Sequence, residues 1–236
     1  DDCEQTLAEV AEKAVQNGLA EICITNHYII GARGFCVTPE EIEQLFIEAE
    51  EIMSRTGLAV RIGLEADYIP GREKQLEHFL ASFDFDFVIG ACHNIDGLGI
   101  ALEETAMELF AKYDALTCYR KSLENYLPAA ESGLFDSLAH LDIIRKYASG
   151  HFGAVPFDHY ADLVDRIAGA MLASGTGFEL NCRGYDHSCA EHYPTVAILE
   201  LLRDRGVKTV TIGSDAHCPD HVGLYLDRGA EALNSL

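Results

Sequence analysis

Five apolar runs in this chain of 236 residues end in side chains that bind metal ions. Ile24–Asn26 leads into His27, Ile62–Leu64 into Glu65, and Ile89–Cys92 into His93. Leu138–Ala139 precedes His140 and Asp142, and Gly213–Ser214 precedes Asp215 and His217. Taken singly, a His at a strand tip is usually a polar residue satisfied by its neighbours. Taken together they mean more, because strands of one parallel sheet bring their ends to one place. Asp215 and His217 are two apart, and an extended strand would put both on one face. Imidazole nitrogens and carboxylate oxygens suit zinc, manganese or iron, and a carboxylate can bridge two ions. None of these positions is a cysteine, which argues against a purely structural zinc and for a catalytic cluster.

Such a cluster could hydrolyse a phosphate ester, which also needs cations around its non-bridging oxygens. Arg183, three residues beyond Leu180, and Arg145, five beyond His140, are the best-placed guanidinium groups. The competing expectation for each is a surface ion pair. The stretch Arg183–Tyr193 holds Tyr185, His187, Cys189 and His192. It reads as a mobile loop over the substrate rather than a zinc knuckle on Cys189 and His192. His78, His151, His159 and His221 lack any such context and are expected to be solvated.

The elements that must position these groups alternate. Leu7, Val10, Ala11 and Ala14 have helical spacing, closed by Gly18. Thr38, Pro39 and Glu41 make a capping-box start to a helix running to Gly57. Apolar runs at 21–25, Val60–Leu64, Phe87–Ala91, Leu138–Ile144, Gly177–Leu180 and Thr209–Ile212 predict six strands. Helices are predicted between them near 72–82, 102–131, 158–174 and 194–205. Continuous apolar strands separated by helices indicate an α/β fold with a parallel sheet covered on both faces. No linker, repeat or low-complexity block interrupts the chain, so residues 1–236 read as a single domain.

Acidic residues outnumber basic ones 39 to 17, a formal charge of −22. That balance disfavours gripping a long phosphate backbone, which requires a clustered basic face. No run reaches the length of a membrane helix and no signal peptide opens the chain. The 8 cysteines include no C-x-x-C pair, which points to a reducing cytoplasm rather than a disulfide framework. Cys23 and Cys92 read as small core fillers.

The segments ITNH (24–27), GLEADYIPG (63–71), IGACHNIDG (89–97), AHLDIIRKY (139–147), ELNCRG (179–184) and IGSDAH (212–217) make the whole chain resemble the polymerase-and-histidinol-phosphatase (PHP) family, in its histidinol-phosphatase-like branch. The resemblance implies a distorted (β/α)7 TIM-like barrel with a trinuclear centre, that is, two to three divalent or trivalent ions of zinc, manganese or iron. The family's first strand ends in an H-x-H motif. This chain opens at Asp1 without it, so that strand is expected to be missing from the chain.

Carried over by motif, Glu65, His93 and His140 complete one metal site, with Glu65 bridging to its neighbour. Asp215 ligates that neighbour, His27 and His217 hold the third ion, and Asp1 or Asp2 falls where a further ligand often stands. Asn26 replaces the more usual Asp of a TDH motif, a change expected to affect orientation rather than ligation. The resemblance also makes Arg183 and Arg145 phosphate contacts. Asp215 and His217 are the expected catalytic residues, His217 being the candidate acid for the leaving alkoxide.

The implied activity is that of a metal-dependent phosphomonoesterase, foremost an L-histidinol-phosphate phosphatase of histidine biosynthesis acting on a small phosphorylated substrate, without long nucleic acid or membrane partners. A phosphoesterase for nucleotides or short nucleic acids, and a non-catalytic interaction module, are the alternatives.

Overall fold

The computed structural model describes residues 5–32, 36–208 and 210–236. Its elements run α1 (Leu7–Gln16), β1 (Glu21–Tyr28), α2 (Pro39–Thr56), β2 (Ala59–Asp67), α3 (Glu73–Leu80), β3 (Phe87–Ala91), β4 (Asn94–Ile95), β5 (Leu98–Gly99), α4 (Glu103–Lys112), α5 (Ala115–Ser132), β6 (Ser137–Leu138), α6 (Arg145–Phe152), α7 (Ala161–Ser174), β7 (Gly177–Asn181), α8 (Val196–Arg205), β8 (Val210–Gly213) and α9 (Leu226–Asn234). Six strands follow one another in the order β1-β2-β3-β6-β7-β8. The β1–β2, β6–β7 and β7–β8 pairs are parallel. A doubly wound sheet reverses direction partway and breaks chain order. Unbroken order is the winding of a TIM-like α/β fold, here with six strands described. Among the described residues no helix is long and apolar enough to cross a membrane.

The described chain divides into two compact units, one up to Ile89 with Ser214–Leu224, the other Gly90–Gly213 with Tyr225–Leu236. In the first, α1 and α2 both open on capping boxes. Thr6 and Thr38 accept from the backbone N–H of Glu9 and Glu41, whose carboxylates accept in return from the Thr6 and Thr38 N–H at 2.8 Å. The apolar faces so started bury Leu7, Ala11, Ala14, Ala49 and Ile52 with Val60 and Ile62 of β2. Each fully buried Leu or Ile contributes about 1.5–3 kcal/mol. Gly63 lets β2 lie close to the start of β3, since a Cβ there would stand 2.4 Å from the Phe87 carbonyl oxygen.

In the second unit α5 packs on α7 and α7 on α8, burying Tyr119, Leu123, Tyr126, Leu163, Ile167, Met171, Ile198 and Leu202. Two expectations are corrected there. The helix predicted over 102–131 is two, because Asp114 accepts from the Thr117 N–H (2.8 Å) and starts α5 afresh. The run Leu138–Ile144 is a strand only through Leu138. Beyond it His140 has φ 22°, its carbonyl accepts from Ile143 N–H (2.8 Å), and the chain coils into the unpredicted α6. The β4–β5 hairpin was also unpredicted, although Asp96 and Gly97, with φ of 52° and 84°, are the Asp-Gly pair that such two-residue turns favour.

Candidate metal centre

In the first unit the parallel register pairs His27 of β1 with Glu65 of β2. Paired residues of adjacent strands share a face, so His27 Nδ1 lies 3.7 Å from the Glu65 carboxylate. Glu65 is buried, and both residues belong to a His/Glu group able to hold a metal ion. The ring of His217 lies 5.7 Å from that of His27. Asp215 and His217 do not extend β8, which ends at Gly213. The same-face argument for an extended strand therefore does not apply. Asp215 instead turns the backbone at φ 49°, and its carboxylate and carbonyl oxygens meet His217 Nδ1 at 3.4 and 3.1 Å.

In the second unit His93 follows β3 and His140 follows β6, with their Nε2 atoms 3.2 Å apart. Two imidazole ligands of one tetrahedral ion, with bonds of about 2.0–2.1 Å, bring their nitrogens to roughly 3.3 Å, so the pair fits metal ligation. His140 is buried and held at two points, the second of them itself braced. Its Nδ1 lies 3.2 Å from the Tyr126 hydroxyl, its backbone N–H donates to Glu179 (3.1 Å), and Asn181 donates to the same carboxylate oxygen (3.1 Å). Glu179 and Asn181 were not singled out from the sequence. Their signal was a pair of polar residues two apart in an otherwise apolar strand, hence on one face. Tyr126, within a helix, left no such signal.

Arg145 is not a surface ion pair. Its guanidinium is buried, donates to Asp142 (3.2 Å) and the His192 carbonyl (3.1 Å), and pairs with Glu191. Burial pulls its pKa down, but Asp142, Cys189 and Glu191 outweigh that and the net shift is upward. Burial likewise raises the Asp142 carboxyl against the pull of Arg145. The stretch after β7 is a tethered segment rather than a loose cover. Tyr193 is fully buried, exchanges backbone hydrogen bonds with Asn181 (2.7 and 2.9 Å), and its hydroxyl meets His187 Nδ1 at 2.9 Å. Arg183 pairs with Asp186 at 2.5 Å and is one-fifth exposed. Asp1 and Asp2 lie outside the described residues.

A family model for the PHP domain matches residues 1–183. A probable histidinol-phosphatase of Deinococcus radiodurans is 34% identical over 239 aligned residues, covering 98% of this chain and 86% of that protein. A histidinol-phosphatase of Lactococcus lactis is 25% identical, over 92% and 80%. Among solved structures, the histidinol phosphate phosphatase of Lactococcus lactis, complexed with zinc, L-histidinol and phosphate, superposes with a TM-score of 0.85 at 22% identity, over 99% of this chain and 88% of that one. A putative histidinol phosphatase of Listeria monocytogenes gives 0.81 at 19%, over 95% and 93%.

Proposed function

Because the chain belongs to the PHP domain family, we propose that it is a metal-dependent phosphomonoesterase releasing phosphate from L-histidinol phosphate. The observation that carries the hydrolytic reading is the His93–His140 pair, two imidazoles whose Nε2 atoms lie 3.2 Å apart, with His140 braced from behind by Tyr126. The substrate rests on relatives named histidinol-phosphatase along nearly the whole chain. By motif, Glu65, His93 and His140 would hold one ion, Asp215 with Glu65 a second, and His27 and His217 a third, as zinc, manganese or iron.

Bound ions of this kind supply Lewis-acid stabilisation of phosphoryl oxygens and a water acidified to near neutral pH. The chain's own groups do the rest. With His140 Nε2 turned to an ion, Nδ1–H donates to Tyr126, which fixes the tautomer and ring angle. At His217 Nδ1 contacts Asp215, so Nε2 is the nitrogen we assign to ligation or to proton donation to the leaving alkoxide, and bracing by Asp215 supports ligation. Arg183 contacts the phosphate directly. Arg145 serves it through the segment that it ties down at Glu191 and His192. The net charge of −22 favours a small phosphorylated substrate over a long nucleic acid, and the absence of any C-x-x-C pair supports one catalytic domain working in a reducing cytoplasm.

The test is phosphate release by the natural protein loaded separately with zinc, manganese or iron, on histidinol phosphate and on a nucleoside monophosphate. Preference for histidinol phosphate is expected. Preference for the nucleotide would move the assignment to a nucleotide phosphoesterase, and no release with any metal would end the enzymatic reading.

A further inference from the structure

Arg183 opens the turn after β7, its backbone N–H donating to the Asn181 side chain (2.9 Å), and three residues later Asp186 returns beneath the guanidinium. Asp186 spends one oxygen on Arg183 Nη1 (2.5 Å) and the other on the Tyr225 hydroxyl (2.8 Å), which donates across 39 positions of sequence. Tyr225 itself stands at φ 62°, a conformation that bulky side chains adopt only where their surroundings impose it. Its ring lies edge-on to Tyr185 at 5.4 Å, and Arg228 stacks over Tyr185 at 3.7 Å. Asp186 also raises the Tyr225 pKa, as a carboxylate does when it accepts the phenolic proton's hydrogen bond. This assembly lies wholly within the second unit.

A guanidinium has five N–H donors in a rigid plane. Asp186 engages Nη1, and among the described residues Nε and Nη2 of Arg183 meet no protein acceptor. That remaining edge is the side-on fork whose spacing matches two phosphoryl oxygens. We infer that Tyr225 and Asp186 are positioning residues that hold Arg183 by Nη1 and so present its Nε–Nη2 edge to the substrate phosphate. The inference rests on the reading of Arg183 as a phosphate contact. The tether fixes a long side chain before the ligand arrives, which lowers the conformational entropy lost on binding.

The experiment uses the natural protein with Tyr225→Phe and Asp186→Asn, each alone and each combined with Arg183→Ala. Read-outs are the dissociation constant of inorganic phosphate by calorimetry, kcat and KM on histidinol phosphate, and the melting temperature. Tyr225→Phe keeps the ring and loses only the hydroxyl. It is expected to weaken phosphate binding by roughly 2- to 10-fold with the melting temperature unchanged, and Asp186→Asn by at least as much. In the Arg183→Ala background neither should add a further loss. Additive losses in that background, or unchanged phosphate binding in both single variants while Arg183→Ala weakens it, would overturn the positioning role. A silent Arg183→Ala would instead remove the phosphate-contact reading on which it rests.

Discussion

Replacing Arg183 by Ala is expected to lower kcat/KM on histidinol phosphate by roughly 30- to 1000-fold, about 2–4 kcal/mol, because charge on the phosphoryl oxygens is redistributed in the transition state. Arg183→Lys should recover only part of this, a point charge being unable to reproduce a fork. Steady-state kinetics on the three forms decide it. His140→Ala should reduce bound metal measured by elemental analysis, and Tyr126→Phe should weaken metal binding without abolishing it, since it removes the brace behind Nδ1 and leaves the ligand atom. At this scale the sequence was informative about residues that end apolar runs. His27, Glu65 and His93 stand where the strand pattern put them. It was uninformative about what holds them, because Tyr126 reaches its partner from a helix position whose spacing looks like ordinary packing, and Tyr225 from the single residue that precedes α9.

Elements were legible where a local signal and the apolar period agreed. The Thr38 box starting α2 is one case, and its twin at Thr6 carries the same signature. Both boxes lower the pKa of their carboxyl, Glu9 and Glu41, below the ordinary 4.5, chiefly through the backbone N–H of Thr6 and Thr38. A depressed folded-state pKa means stability that is present above the unfolded value and lost as pH falls through the folded one. Thermal melts of Glu9→Gln and Glu41→Gln should therefore differ from wild type near neutral pH and converge with it below pH 4.5. Legibility failed where a side chain overrode the period, as when Asp114 restarted a helix or His140 turned the chain out of an apolar run. Gly63→Ala tests the strand scale. Its methyl would meet a backbone oxygen that cannot step aside, and a loss of about 1–3 kcal/mol in denaturant unfolding is expected.

For the whole molecule, the α/β class followed from the alternation of apolar runs and helical stretches, and the strand order bears it out. The charge of −22 sets a further expectation. A single-stranded oligonucleotide should show no saturable binding in a fluorescence titration at low salt, where electrostatic attraction would be strongest. The segment after β7 has a consequence in time rather than in space. Its anchor is a buried guanidinium shared among Asp142, Glu191 and the His192 carbonyl, and its backbone is stitched to Asn181 by two reciprocal bonds. Lifting it would strand a desolvated cation, at a cost of about 3–5 kcal/mol for a broken buried pair. In hydrogen–deuterium exchange the amides of Asn181 and Tyr193 should thus persist as long as those of the neighbouring sheet, and product must leave by a route that does not require this stretch to open.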